Sequence, residues 1–416
     1  MPGDKSISHR ALILAALGDG TSRVTGLNTG ADVDATRRCL TRLGVPLRRD
    51  LEADSEVVVE GSGWAGLTEA ADVLDAGNSG TTLRTLAGVA AAIPALTVLT
   101  GDETLRRRPM LRIVEPLTEM GALIEGRAGG DLAPLAIRGG RLTGVKHDLK
   151  VASAQVKTAL LFAGLGAEGR TEVIEPSPSR DHTERMLTAL GAPLVTERGR
   201  VSVTRVDALP AADRRVPGDV SSALFLVVAA LLVEGSDLEV REVGLNPTRI
   251  GALEILRAMG GDIGWEVTDE AGGEPTGTIR ARASELVGAR VDPSVVPRAI
   301  DEFPVVAIAA SQAEGVTHIS GAGELRVKES DRIETVATGL RTLGVEVETH
   351  GDGLSVHGPA TLTRGEVDSR GDHRIALAFA VAGLLAGGDV RVKGWSAVDT
   401  SFPEFLDVLG KARGRR

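Results

Sequence analysis

Between Glu324 and Arg332 six of nine side chains ionise: Glu324, Arg326, Lys328, Glu329, Asp331 and Arg332. They follow a Gly-rich turn and interrupt Leu325, Val327 and Ile333, so all six cannot face solvent while those three share one buried face. Nor do the charges fall into tidy helical pairs. A Lys and an Arg beside a Glu can hold a phosphorylated acid while a proton moves. The same residues also read as a salt-laced helix start, with Ser330 and Asp331 capping a run from Arg332 to Leu340.

Other stretches offer similar equipment, each with a plainer structural alternative. Lys5, Ser6 and Arg10 open a helix whose first turn has free N–H groups for an anion, although Asp4 or Ser6 would serve there as a simple cap. Asp75 to Arg84 is a Gly-rich loop entering an apolar helix through Asn78, Ser79, Gly80 and Thr81; it lacks the Gly-Lys-Ser/Thr of a Walker loop. Arg106, Arg107 and Arg108 precede Pro109, which as a helix-starting proline would aim Arg108 at the loop. Ser153, Ala154, Gln155 and Lys157 head another apolar helix, and Ser179, Arg180 and His182 follow the next strand. Pro217 to Ser222 reads as a capped helix start. Asp301 and Glu302 precede an Ala-rich helix, where acids are favourable without any further role. His373 and Arg374 do the same in the last such helix, as a cap or as an anion contact.

The elements that must position these residues recur. A Leu/Met-Gly helix end appears at Gly44, Gly121, Gly191, Gly260, Gly344 and Gly410, spaced 77, 70, 69, 84 and 66 residues apart. The first five are followed by strand-like runs, from Val45, Ala122, Pro193, Asp262 and Val345. A second phrase, an Ala-rich helix, a turn and a strand, interleaves with the first. Its helices lie at 11–17, 82–92, 159–165, 225–232, 305–310 and 375–385. The pattern predicts a roughly seventy-residue unit repeated six times, with Ala-rich helices inside and charged ones such as 35–43 and 334–343 outside. Six units exceed one core, so two domains of three are expected, dividing near Arg214 to Gly218.

Composition narrows the partners. The net charge of −10 argues against nucleic acid or an anionic membrane as the partner of the whole surface, so any basic site is local. With 2% aromatic residues and no tyrosine, base-stacking platforms are missing. One cysteine, Cys39, rules out a disulfide framework or a Cys-rich metal site, and no apolar run is long enough to span a bilayer. A cytoplasmic location is the default expectation.

Together, Lys5-Ser6, Asn78 to Thr81, Arg108-Pro109, Ser153 to Gln155, Asp301, Lys328-Glu329 with Arg332, and His373-Arg374 resemble the motifs of the 5-enolpyruvylshikimate-3-phosphate synthases of the enolpyruvyl transferase family, in the same order. The resemblance runs from Pro2 to Pro403. It implies an α/β fold, a two-domain inside-out α/β barrel of six βαβαββ units, three in residues 5–216 and three in 217–416, with the active site in the interdomain cleft. The implied reaction joins the enolpyruvyl group of phosphoenolpyruvate to the 5-hydroxyl of shikimate 3-phosphate and releases phosphate, with no metal or organic cofactor and a monomer as the working form. By motif, Lys5, Ser6, Arg10, Ser153, the Ala154 backbone, Gln155, Ser179, Asp301 and Lys328 hold shikimate 3-phosphate. Lys5, Gly80, Arg108, Gln155, Arg332 and Arg374 hold phosphoenolpyruvate, with Asn78, Thr81, Lys157, Arg180 and His373 nearby. Asp301 takes the hydroxyl proton, while Glu329, helped by Lys328, serves the methylene carbon. The substrates carry about five to six negative charges at −1.5 to −2 per phosphate, a load that a basic cleft answers. Gly80 leaves the donor pocket wide, which implies micromolar competition by glyphosate.

Three features depart from the family pattern. Relatives carry residues before Pro2 that form a first strand of the C-terminal domain, so a truncation with an unpaired sheet edge is expected here. Thr400-Ser401 stand where many relatives have a Lys before Phe-Pro, and Glu324 replaces an Asn found in one branch. The sister family, UDP-N-acetylglucosamine enolpyruvyl transferase, is the alternative on the same fold; it has Lys-Asn at Lys5-Ser6 and a loop cysteine. A non-catalytic phosphosugar-binding relative is the alternative of another class, against which Asp301, Lys328 and Glu329 stand intact.

Overall fold

The computed structural model describes residues 1–49 and 55–414. The chain divides into two compact units, Gly3–Val216 with Glu270–Glu274, and Met1–Pro2 with Pro217–Asp269 and Pro275–Arg416.

In the first unit three helices, Lys5–Ala16, Gly80–Ala92 and Ala154–Gly166, form the centre. They are rich in Ala, Leu and Gly with no continuous polar stripe, and such helices are stable only when surrounded. Leu12, Leu86 and Leu161 are all within 1% of full burial, each worth about 1.5–3 kcal/mol against exposure. The second and third helices approach so closely that a Cβ on Gly88 would stand 2.1 Å from the Ala159 carbonyl oxygen. Three sheets surround them, each with a buried and a more solvated face, as the alternation of buried Val57, Val59 and Gly61 with half-buried Val58 and Glu60 and exposed Ser62 shows. Leu74–Asp75, Leu96–Thr100, Leu123–Arg127 and Leu132–Arg138 form one, beginning with a parallel pair and ending in an antiparallel hairpin. The order within the copy is βαβαββ. The third copy repeats it, and the first takes its leading strand from the unit's far end: Leu209–Pro210 and Arg214–Arg215 run parallel to Gly18–Thr25.

The second unit has the same plan around Val220–Leu232, Phe303–Gln312 and His373–Ala382. Two of its sheets have three strands each, and the third pairs Gly365–Asp368 with Val390–Lys393 in parallel. In that sixth copy the described residues supply two strands, followed by the helix Phe405–Gly414.

The five glycine helix ends share one geometry. Gly44, Gly121, Gly191, Gly260 and Gly344 all have positive φ, from +66° to +112°. The N–H of the following residue bonds back five positions, as in Val45 to Leu40 at 3.1 Å and Val345 to Leu340 at 3.0 Å. This Schellman cap consumes the N–H of the residue after glycine, and four of the strands begin one or two residues later than the sequence pattern suggests, at Leu47, Leu123, Leu194 and Val347, while Asp262 starts its strand as expected. The expectation fails at Leu409-Gly410, which lies inside Phe405–Gly414 and stops nothing. Pro109 is also displaced: the next helix begins at Leu111, leaving Arg108 in an extended conformation before it.

Candidate active site

In the first unit the three inner helices are capped by side chains at the ends that carry the sequence motifs. Asp4 accepts from the Ile7 N–H at 2.9 Å, Ser79 from the Thr82 N–H at 3.1 Å, and Ser153 from the Val156 N–H at 3.5 Å. Lys5 pairs with Asp32 at 3.0 Å. Arg10 is buried, donating to the Ser6 carbonyl at 2.8 Å and to the hydroxyls of Thr158 and Thr183 at 2.7 and 2.8 Å. Burial pulls its pKa down to about 10, against partial compensation by Glu184.

Gly80 lies under two guanidinium groups. Arg84 donates to Gln155 Oε1 at 2.7 Å and to the Pro109 carbonyl at 3.2 Å, while Gln155 Nε2 donates to Thr81 at 2.9 Å. Arg108 donates to Asn78 Oδ1 at 2.9 Å, and Asn78 in turn to Asp102 at 2.7 Å. Sequence reasoning missed Arg84. It stands one helical turn after Gly80, a spacing that puts both on one face, and that was the available signal.

Lys157 is 3% exposed and lies 2.7 Å from both Glu175 and Glu184. Burial alone would lower its pKa, but the two carboxylates hold it above the usual lysine value; Glu184 is raised by its own burial. Ser179 donates its backbone N–H to Glu175, and its Oγ is buried. His182 Nδ1 is 2.7 Å from Glu274 Oε1, a partner that the motif reading did not find because it is 92 residues away in sequence.

In the second unit one arginine organises the charged loop. Arg332 is 2% exposed; its Nη1 is 3.1 Å from Asp301, its Nη2 2.5 Å from Glu329 and its Nε 2.8 Å from Asp372. Burial opposes its charge, but Asp372, Glu329 and Asp301 outweigh that and raise its pKa. Lys328 Nζ is 3.3 Å from the same Asp301 oxygen. Asp331, not Ser330, caps the helix Arg332–Thr342, so the capping reading of this stretch holds for Asp331. Arg326 donates to Asp331 and to the Gly351 and His350 carbonyls, pinning the loop. Asp372 caps His373–Ala382 through the Arg374 N–H at 2.9 Å, which places His373 and Arg374 on its first turn. In this set Lys328, Arg249, Arg332 and Arg374 face Asp219, Asp301, Glu302, Glu329 and Asp372, so four cations meet five carboxylates rather than forming a bare basic lining.

Cys39 lies inside Ala31–Arg42, and burial pushes its thiol up to about 12, which removes it as a nucleophile. Among the described residues no helix is long and apolar enough to cross a membrane.

Two units of three helix-centred copies, with carboxylates and cations gathered at the helix starts, define the enolpyruvyl transferase class. The enolpyruvyl transferase NikO from Streptomyces tendae shares this fold at a TM-score of 0.79 and 16% identity, covering 99% of this chain and 93% of that one. An EPSP synthase from Acinetobacter baumannii is similar at a TM-score of 0.88 and 44% identity, covering 99% and 94%. The 3-phosphoshikimate 1-carboxyvinyltransferase of Halorhodospira halophila is 53% identical over 410 residues, which are 98% of this chain and 92% of the relative. The family model for EPSP synthase (3-phosphoshikimate 1-carboxyvinyltransferase) matches residues 1–409, and the chain belongs to that family. Its reaction is transfer of the enolpyruvyl group of phosphoenolpyruvate to shikimate 3-phosphate, in the shikimate pathway.

Proposed function

We propose that Asp301 and Glu329 are the proton-transfer pair of this reaction. The observation that carries the assignment is their placement on the two terminal nitrogens of Arg332, with Lys328 on the same oxygen of Asp301. The chemistry needs two such groups. Asp301 takes the proton of the 5-hydroxyl as its oxygen bonds to C2 of phosphoenolpyruvate, and Glu329 delivers a proton to C3. The double bond of the product must then be restored. Glu329 removes a proton from the C3 methyl while the C2–O bond to phosphate breaks, and the proton held by Asp301 leaves with the phosphate.

Lys5, Ser6, Ser153, the Ala154 backbone, Gln155, Ser179, Asp301 and Lys328 hold shikimate 3-phosphate in this reading, with Arg10 supporting them through the Ser6 carbonyl. Lys5, Gly80, Arg108, Gln155, Arg332 and Arg374 hold phosphoenolpyruvate, with Asn78, Thr81, Lys157, Arg180 and His373 around them. The first-unit anion contacts draw on free N–H groups at helix starts, and the arginines on bidentate geometry. The working form is a monomer in the cytoplasm, which sedimentation of the purified chain tests for its first part.

Turnover in D2O tests the roles. Deuterium is expected at C3 of the product, and Glu329→Gln is expected to lose that exchange and about a hundredfold or more in kcat. Undiminished exchange in the variant would assign the carbon proton to another group.

A further inference from the structure

Glu302 follows Asp301 directly and is 1% exposed. Its position invites a helix-capping role, yet its side chain makes no cap hydrogen bond to Phe303–Gln312. It turns the other way. Oε1 accepts from the Ser221 hydroxyl and lies 3.4 Å from Arg374 Nη1 and 4.0 Å from Arg249 Nη2. Arg249 also reaches Ser221 Oγ, and lies 3.4 Å from Asp219, the cap of Val220–Leu232. The other oxygen of Glu302 is buried without a hydrogen-bond partner among the described residues. A buried carboxylate that caps nothing and keeps one oxygen unsatisfied is costly, and an apolar residue of similar size would commonly serve the fold as well.

We propose that Glu302 is a positioning residue for phosphoenolpyruvate: it holds Arg374 by one terminal nitrogen, fixing the plane of the guanidinium and leaving its other donors for the substrate anion. Ser221, Arg249 and Asp219 fix the carboxylate in turn, so the start of Val220–Leu232 is rigidly linked to the first turn of His373–Ala382. This rests on the reading of Arg374 as a phosphoenolpyruvate contact. The two carboxylates of the Asp301-Glu302 pair then have separate tasks, proton transfer by the first and anion placement by the second.

Steady-state kinetics on the full chain test it. Glu302→Gln should raise KM for phosphoenolpyruvate about tenfold, the loss expected for one charge-assisted hydrogen bond, and leave KM for shikimate 3-phosphate within about twofold. In an Arg374→Gln background the same change should alter KM for phosphoenolpyruvate less than about threefold, because the group it acts through is gone. An unchanged KM in a folded Glu302→Gln protein, or an equal effect in both backgrounds, overturns the proposal. Should Glu302→Gln not fold, Ser221→Ala keeps every charge and removes only the hydroxyl on Oε1. It should raise the same KM about threefold in the wild-type background alone, and a silent result overturns the proposal. If Arg374→Gln itself leaves KM for phosphoenolpyruvate unchanged, the reading of Arg374 fails and takes the proposal with it. A normal Arg374 effect with a silent Glu302 removes the proposal only.

Discussion

A methyl group at Gly80 tests the proposed donor pocket with the smallest available change. A Cβ built there stands 2.9 Å from Arg84 Nη1, 3.2 Å from Arg108 Nη1 and 3.7 Å from Leu105 Cδ1. Ordinary carbon–nitrogen contact begins near 3.4 Å, so Arg84 must give about half an ångström and Arg108 about a quarter. Both are the far ends of long side chains, and the fold should lose little. Neither end is loose, however: Arg84 is held by Gln155 and the Pro109 carbonyl, and Arg108 by Asn78. In the proposed site, where Arg108 contacts the substrate anion, this displacement forfeits about one charge-assisted hydrogen bond, ~1.5 kcal/mol or roughly tenfold in affinity. Gly80→Ala should therefore raise KM for phosphoenolpyruvate about tenfold, with kcat and KM for shikimate 3-phosphate changed less than about threefold and Tm within about 2 °C. Initial rates with each substrate varied in turn, and a thermal melt, supply all four quantities. An unchanged KM for phosphoenolpyruvate, or an equal rise for both substrates, would refute the proposed role of Gly80 and Arg108 at the donor.

Two further substitutions probe the fold beneath the site. Gly88→Ala puts a methyl 2.1 Å from the Ala159 carbonyl, which is backbone and cannot swing away. It should cost about 1–3 kcal/mol and lower Tm by several degrees, and a neutral melt would contradict the close helix approach. His9 is buried with Nδ1 2.7 Å from Thr36, and burial, then Lys5 and Arg10, hold its pKa well below 6.5. A depressed pKa means stability that is present above the unfolded value and lost as pH falls toward the folded one. Urea unfolding at pH 7.5 and 5.5 should show a larger acid loss for wild type than for His9→Gln. His147 is shifted the same way and is common to both proteins, so only the difference is diagnostic.

The repeat was legible because each copy depends on the same local chemistry. The five glycines after Leu43, Met120, Leu190, Met259 and Leu343 adopt the left-handed conformation that other residues resist, and each ends a helix. Gly410 carries the same letters without the geometry, since the pattern cannot show whether the following N–H will bond back or continue the helix. The charged motifs were legible for a related reason: capping residues and cations at helix starts are local in sequence. What escaped is non-local. Glu274 on His182, Asp372 on Arg332 and Glu302 on Arg374 lie 92, 40 and 72 residues from their partners, and no spacing rule reaches that far. Arg84 escaped differently, being a single charge in an Ala-rich helix that reads as its solvated edge.

The assignment of Asp301 stands or falls on phosphate release. Purified protein given phosphoenolpyruvate should release phosphate only when shikimate 3-phosphate is also present, and Asp301→Ala should reduce that rate by about a hundredfold or more while the variant still melts cooperatively. Release from phosphoenolpyruvate alone, or a folded Asp301→Ala protein as fast as wild type, would contradict the account.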